Sequence, residues 1–475
     1  MVLEGVVAGW LEALDGLAAS RSKAGLTRRL RPRPAGDPVV DLAGNDYLGL
    51  AVHPAVVAAS AQTLAAYGLG ATGSRLVRGS SEVHAALESA LASWMGLPAA
   101  LVFSSGYLAN LAAVRSLTTV CDLIVSDAYN HASLIDGCKI SGVRTVVAPH
   151  NSPAAVAEIL DTHRPARALV VTESVFSVDG DLAPLATLHE VTSARGALLL
   201  VDDAHALGLL GSAGAGGVAA AGLSGRDDVI VTATLSKSLG GAGGVVAGPA
   251  VFIQHLIDTG RTFIYDTALP PAVAAGVHEA VRIAQAADDR RALLRARARQ
   301  TVTHLTAAGL QVVVPTAAQP TPPAMAPADD SPAADSQIAV SAAGRQTAAG
   351  SQTTADAAGP QTATPAAGVR TVGPRSAVPA VGTQADVPAA DQRVVAPAAD
   401  LQVAVPVAGV LSVMAPGPEA ALVWADDCRD RGVAVGCFRP PSTPDGSSRL
   451  RLTLNAGVSD ADFARALDVI VECAP

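Results

Sequence analysis

The chain of 475 residues carries 33 basic and 42 acidic side chains, a net charge of −9, and is half apolar with only 3% aromatic residues. It is long enough to bury a core without disulfides or metals, and the usual scale of about 150 residues per domain predicts two or three domains. The acidic balance argues against a phosphate-backbone partner, no apolar run reaches the roughly 18 residues of a membrane span, and Glu4, Glu12 and Asp15 break up the start where a signal peptide would be basic and then apolar. A soluble cytoplasmic protein without nucleic-acid or membrane partners is expected.

Residues 1–45 read as a short helical start followed by an Arg/Pro stretch from Arg28 to Pro34. From 46 to about 275, apolar runs at 101–105, 123–127, 145–149, 168–174, 197–203 and 229–235 alternate with segments at 107–117, 154–162 and 185–194, where apolar residues recur at three- and four-residue spacing. Near-continuous apolar strands alternating with amphipathic helices imply a large α/β domain on a mostly parallel sheet covered on both faces. Residues 276–315 read as one long Arg-rich helix followed by a strand. After 405, apolar runs at 409–416, 433–438 and 448–454, with a helix around 420–432, rebuild an α+β pattern. The segments 276–315 and 406–475 together make the expected smaller domain. Between them, 316–405 consists mainly of Ala, Pro, Thr, Gln and Val, with eleven prolines and no aromatic, Lys, Glu, His or Cys. Such low complexity offers too little apolar surface to offset the entropy of ordering, so a disordered insertion is expected there. It reads as a tolerated surface expansion, since longer loops add little closure entropy, and less readily as a tether or partner-binding segment.

The five cysteines are scattered without a C-x-x-C pair, so nothing supports a zinc or dithiol site and no metal is expected. Lysine occurs only three times, at Lys23, Lys139 and Lys237. Lys237 follows an apolar run, lies between Ser236 and Ser238, and precedes a glycine cluster at 240–244. That setting suits a Schiff-base lysine whose amine is made nucleophilic by desolvation and nearby cations. Alone, it suits an ordinary exposed lysine equally well. Thr234 and Ser236 could reach a phosphate, and the glycines let backbone approach closely. Asp202 ends the run 197–203, where an open α/β sheet places its ligand crevice, and His205 follows three residues on. A carboxylate there can keep a pyridine nitrogen protonated so that the ring acts as an electron sink, and a histidine can donate to a phenolate oxygen. An aspartate capping the next helix is the common alternative. The pair Asp202 and His205, with Asp202 35 residues before Lys237, is more specific than either alone. Ser105 to Asn110 marks a strand–glycine–helix junction whose first amides suit a phosphate, although any βα turn can look this way. His131, after the run 123–127, can stack on an aromatic cofactor or be a structural histidine. Thr172 to Gly180 offers a hydroxyl at the same edge. Arg439, Arg449 and Arg451 can clamp carboxylates by paired hydrogen bonds, or be solvated arginines in an Arg-rich chain.

Taken in order, Asn45 to Leu50, Gly73 to Arg75, Asn130 to Ser133, Thr172 to Gly180, Asp202 to His205, Thr234 to Lys237 and Arg439 to Arg451 closely resemble the α-oxoamine synthases, a family of pyridoxal-phosphate enzymes. The likeness covers essentially the whole chain except 316–405. It implies the PLP-dependent transferase fold type I, aspartate aminotransferase-like, with a large mostly parallel-sheet domain and a smaller α+β C-terminal domain. It also implies roles. Lys237 would form the Schiff base with pyridoxal 5′-phosphate and then remove the α-proton. Asp202 would pair with the pyridine nitrogen, His205 with the ring hydroxyl, and His131 would stack over the ring. Gly106, Tyr107, Ser177 and Thr234 would hold the cofactor near its phosphate and ring oxygen. Thr267 would reach the phosphate of the partner subunit in a homodimer. Arg451 would bind the amino-acid carboxylate and Asn45 would lie near the substrate. Ser442, with Arg28 and Arg439, would face the acyl substrate. The implied activity is the decarboxylative condensation of an amino acid with an acyl thioester. Arg439-Pro440-Pro441 is most similar to the biotin-pathway branch, which joins L-alanine to a pimeloyl group carried on coenzyme A or a carrier protein. Branches that use glycine or L-serine, and relatives that have lost catalysis, are the alternatives. Two departures stand out: Thr27 sits beside Arg28 where an arginine is expected near the acyl carboxylate, and Ala206 replaces a frequent glycine.

Overall fold

The computed structural model describes residues 2–314, 409–440, 442–443 and 445–475, so the insertion expected at 316–405 lies outside the described residues. Twelve strands among these residues fall into two sheets. The strand β1 (Val40–Leu42) belongs to the smaller one. The larger contains β2 (Ala99–Phe103), β3 (Leu123–Asp127), β4 (Thr145–Ala148), β5 (Ala168–Glu173), β6 (Leu198–Asp202), β7 (Val229–Thr234) and β8 (Gly244–Gly248), in the order β2-β8-β7-β6-β5-β3-β4. The pairs β3–β4, β3–β5, β5–β6 and β6–β7 are parallel, whereas β8 runs antiparallel to both β2 and β7. Every residue of β5, β7 and β8 is buried, and for β5 and β7 this is why they read as near-continuous apolar runs. The helices Gly106–Leu117, Ala132–Ser141, Pro153–His163 and Leu185–Ser193 follow β2, β3, β4 and β5 in the chain. The strand β8 is unforeseen, because its residues belong to a glycine-rich cluster that has no strand pattern of its own.

The smaller sheet has the order β1-β11-β12-β10-β9, with β9 (Val312–Val313), β10 (Val410–Ala415), β11 (Val433–Phe438) and β12 (Ser448–Thr453). The N-terminal segment is part of it: Val40 pairs with Val433 in a parallel register. Two helical readings need correction. The start is not short but a helix of 22 residues, Val2–Lys23. The Arg-rich stretch is not one helix but two, Pro271–Gln285 and Asp288–Ala307. The buried Arg291 caps the break: its guanidinium donates to the carbonyls of Ala284 at 2.7 Å and Gln285 at 3.3 Å at the end of the first helix.

The two sheets are tied together by one loop. Residues 174–181, after β5, carry Asp179, whose carboxylate accepts from Arg449 of β12 at 2.6 Å, with both side chains almost fully buried. Ser412 of β10 donates to the Val178 carbonyl at 2.7 Å. Gly180 adopts φ +74°, and a Cβ there would stand 2.5 Å from the Val410 carbonyl oxygen, so only glycine allows this approach. On the other side of the loop, His150 hydrogen-bonds Asp127 at 2.8 Å and Asp181 at 2.7 Å and stacks on Tyr129 with ring centres 4.1 Å apart. Burial opposes protonation of His150, yet the two carboxylates outweigh it and push its pKa up to about 9. The sign of the linkage follows: this stabilisation is complete below the ordinary histidine value of 6.5 and is lost as the pH rises through about 9. Denaturant titrations across that window are expected to show the unfolding free energy falling by on the order of 3 kcal/mol. The variant His150→Gln is expected to be less stable at low pH and to show a flatter slope.

Candidate active site

In a sheet of this kind ligands bind beyond the carboxyl ends of the parallel strands, and the side chains singled out by the sequence end there. Glu173 ends β5, Asp202 ends β6 and Thr234 ends β7, with Glu173 and Asp202 in register as neighbours. Asp202 is buried, and one of its carboxylate oxygens accepts from the Asn110 amide at 2.7 Å while the other accepts from the Ala204 N–H at 2.9 Å. Asn110 lies on the helix Gly106–Leu117, donates also to Ser133 at 2.8 Å, and accepts from Thr232. Ser133 in turn lies 2.8 Å from His131 Nδ1. The backbone N–H of His131 donates to Glu173 at 2.6 Å. Burial, reinforced by the nearby Asp202 charge, holds the Glu173 carboxyl well above the usual range. Burial also lowers the His131 pKa, with Asp202 acting in the opposite sense and Lys237 in the same sense.

Lys237 lies in the turn between β7 and β8. Its Nζ is 2.7 Å from His205 Nε2, and His205 Nδ1 is 2.6 Å from the Tyr47 hydroxyl. Burial pushes the Lys237 ammonium down from 10.5 to about 8, Asp202 pulls upward, and Arg451 pushes further down. The His205 pKa falls well below 6.5, first through burial and then through the cations Lys237, Arg451 and His131. Arg451, on β12, donates to the Asn45 side-chain oxygen at 2.8 Å and stacks over Phe438 at 5.2 Å.

The expected cofactor residues fall into two groups. Lys237, His205, His131 and Asp202 gather with Arg451 and Asn45 at the strand ends. Gly106 and Tyr107 open the helix Gly106–Leu117, capped by Ser105, beside Thr234. A Cβ on Gly106 would stand 3.0 Å from Thr234 Cβ, and one on Gly244 would stand 2.5 Å from the Ser105 carbonyl, so the glycines let the helix start close against β7 and β8. The Gly106 and Tyr107 amides at the helix start, with the Thr234 and Ser236 hydroxyls paired at 2.7 Å beside them, could hold a phosphate. This donor set, a carboxylate one side of the lysine and an anion cradle on the other, fits pyridoxal phosphate. Tyr107 is partly exposed and donates to Asp136. Ser177 is half-buried in the loop 174–181, and Thr267 is exposed after the helix Arg261–Ile264. At the other end, Arg28 donates to Ser442 at 3.2 Å, and Arg439 donates to the Gly25 carbonyl. Sequence reasoning missed Asn110, Glu173 and Tyr47 as contributors, although all three lie inside the quoted motifs. The available signal for Asn110 was a polar residue one turn after Gly106 in an otherwise apolar helix.

The family described as aminotransferase class I and II matches residues 37–323. A curated 8-amino-7-oxononanoate synthase from Mycolicibacterium gilvum is 41% identical over 461 residues, covering 97% of this chain and 96% of that protein. One from Mycolicibacterium vanbaalenii is 41% identical over 459 residues, with 97% and 96% covered. Among solved structures, a serine palmitoyltransferase variant from S. paucimobilis with a bound PLP–myriocin aldimine matches with a TM-score of 0.74 at 25% identity, covering 98% of both chains. The chain belongs to the aminotransferase class I and II family. Within it, the α-oxoamine synthases are the similar branch, pyridoxal 5′-phosphate is the cofactor, and the chemistry is acyl transfer. Among the described residues no helix is long and apolar enough to cross a membrane, and no group of three or more His, Cys, Asp or Glu could hold a metal ion.

With its pKa near 8 rather than 10.5, Lys237 is expected to capture pyridoxal phosphate in the apoprotein with a midpoint at about that pH. Borohydride reduction followed by peptide mapping is expected to find the cofactor on Lys237, and Lys237→Ala is expected to retain none after reduction and dialysis.

Proposed function

We propose that the chain catalyses the decarboxylative condensation of L-alanine with a pimeloyl thioester, giving 8-amino-7-oxononanoate, carbon dioxide and free thiol in biotin biosynthesis. It would do so as a cytoplasmic homodimer. The observation that carries this reading is the 41% identity, over nearly the whole of both chains, with enzymes of that name. The local chemistry agrees with it. Arg28, Arg439 and Ser442 lie together, so an acyl chain that ends in a carboxylate meets cations and a hydroxyl. A chain ending in a methyl group gains nothing from them.

Bound pyridoxal phosphate supplies an electron sink for negative charge that develops beside the amino-acid nitrogen. The chain's own residues do the rest. Asp202, fixed by Asn110 and the Ala204 N–H, holds the proton on the pyridine nitrogen. Arg451 and Asn45 would seat the amino-acid carboxylate and so orient the bond to be broken. Lys237, with a pKa near 8, is partly neutral at physiological pH and removes the α-proton. His131 would cover the cofactor. His205 and Ser177 take the ring oxygen. Gly106, Tyr107 and Thr234 hold the phosphate, with Thr267 contributed by the second copy.

The test is thiol release by the purified holoenzyme with paired substrates. L-Alanine with pimeloyl-CoA is expected to turn over, whereas glycine with acetyl-CoA or succinyl-CoA and L-serine with palmitoyl-CoA are not. Release with a glycine or L-serine pair would transfer the specificity to another branch. The variant Arg28→Ala is expected to raise the KM for pimeloyl-CoA about tenfold, the effect of losing one charge-assisted hydrogen bond, with kcat and the KM for L-alanine little changed.

A further inference from the structure

The Lys237–His205 contact continues outward through a side chain that no role above uses. Tyr47 is fully buried, and its hydroxyl lies 2.6 Å from His205 Nδ1 and 3.4 Å from the Asn45 side-chain oxygen. That Asn45 oxygen already accepts from Arg451 at 2.8 Å. Arg451 is also a cation close enough to act on the Tyr47 oxygen. A guanidinium has no acceptor and its charge repels the hydroxyl proton, which therefore points elsewhere. The nearer acceptor by 0.8 Å is His205 Nδ1.

We propose that Tyr47 is a positioning residue that fixes the tautomer of His205: its hydroxyl, oriented by Arg451, donates to Nδ1 and keeps the ring proton on Nε2, aimed at Lys237. The titratable groups that face His205 are Lys237 after β7, Arg451 on β12 and His131 at the start of the helix Ala132–Ser141. Burial disfavours the charged ring first, and the three groups, all cationic when protonated, add to it, so the imidazole stays neutral and carries a single proton. A neutral ring that accepts at Nδ1 must donate at Nε2. The opposite tautomer would accept at Nε2, favour an ammonium on Lys237, and weaken it as a base and nucleophile. Tyr47 therefore lowers the proton affinity of the lysine nitrogen through His205. The hydroxyl of Tyr47 itself is pushed up to about 12 by burial, against the pull of Arg451, so it remains a donor over the working range.

The consequence for the cofactor rests on the reading of Lys237 as the residue that holds it, and not on the identity of the acyl substrate. Two measurements on the holoenzyme without substrate test the idea. In ¹⁵N-histidine spectra of the wild-type protein, His205 is expected to show an unprotonated Nδ1 and a protonated Nε2; the reverse tautomer overturns the proposal. The variant Tyr47→Phe removes one oxygen and keeps the ring. It is expected to raise the midpoint of the pH titration of the cofactor absorbance by about one unit, a tenfold change in the acid constant. An unchanged midpoint in a folded variant overturns the proposal, and if the variant does not fold, the wild-type tautomer decides alone. In the turnover assay kcat is expected to fall about tenfold with the KM for the amino acid nearly unchanged, because Arg451 and Asn45 are retained. Neither spectroscopic measurement involves an acyl thioester. A shifted midpoint in a protein inactive with L-alanine and pimeloyl-CoA would therefore sink the substrate assignment and leave the role of Tyr47 standing.

Discussion

Two carboxyl groups buried side by side at the end of a parallel sheet set the problem that the rest of the site solves. Glu173 and Asp202 are register neighbours on β5 and β6, and each is nearly inaccessible to water. Burying even one such charge is costly unless hydrogen bonds and opposite charge compensate. Asp202 is compensated by Asn110, by a backbone N–H and by the nearby Lys237. Glu173 takes the His131 N–H and is held toward its neutral form. The two neighbours thus differ: Asp202 has donors on both oxygens, and Glu173 gives way. The polar chain Thr232–Asn110–Ser133–His131 inside otherwise apolar elements then has a clear purpose. It delivers a donor to Asp202 and, as a by-product, fixes the position of the His131 ring.

The larger sheet supplies acids to this edge, and the smaller sheet supplies the cations. Arg449 and Arg451 are two residues apart on β12, so the period of a strand puts them on one face. Arg449 is spent on Asp179, within the loop that follows β5, and so locks the two sheets at the carboxyl edge. Arg451 is left to engage Asn45 and to act on Tyr47. A pair of arginines that sequence alone could assign to solvent thus divides into one that builds the cleft and one that faces into it. The desolvated Arg451 also helps to depress the lysine pKa, which couples the two side chains electrostatically.

Much of this was legible in the sequence, for local reasons. Six strands of the larger sheet show as apolar runs; both faces are covered in five of them, whereas the edge strand β4 leaves Thr145 and Val147 exposed. The residues Asp202, His205, Lys237 and Thr234 stand at strand ends, which is where such a fold does its chemistry. The strand β8 was not legible because it is short and has glycine at both ends, and Gly244 serves close packing against the Ser105–Gly106 turn rather than a strand pattern. The split of the Arg-rich stretch into two helices was hidden too, because its cap is Arg291, which reaches back to carbonyls of the preceding helix. What sequence could least supply are partnerships across long separations. Asn110 meets Asp202 across 92 positions, Tyr47 meets His205 across 158, and Arg449 meets Asp179 across 270. Each of these is set by topology, and no spacing rule reports it.

Topology also bears on how the chain accommodates its long Ala/Pro-rich segment. The strands that flank the segment, β9 and β10, are antiparallel neighbours, with Val312 opposite Val413 and Val313 opposite Ser412. The chain therefore leaves and re-enters the smaller sheet at adjacent positions, as it would through a hairpin turn. Closure of such a connection costs only about 0.6 kcal/mol for each doubling of its length, so added residues burden the fold little. The exit also lies at the sheet edge, with β10 standing between β9 and the arginine-bearing β12. Length added there leaves the register of β12, and with it the placement of Arg449 and Arg451, untouched. On this argument a separate smaller domain interrupted at 316–405 is our proposal for the chain's organisation. The hairpin position explains why an interruption at that point is compatible with an intact site.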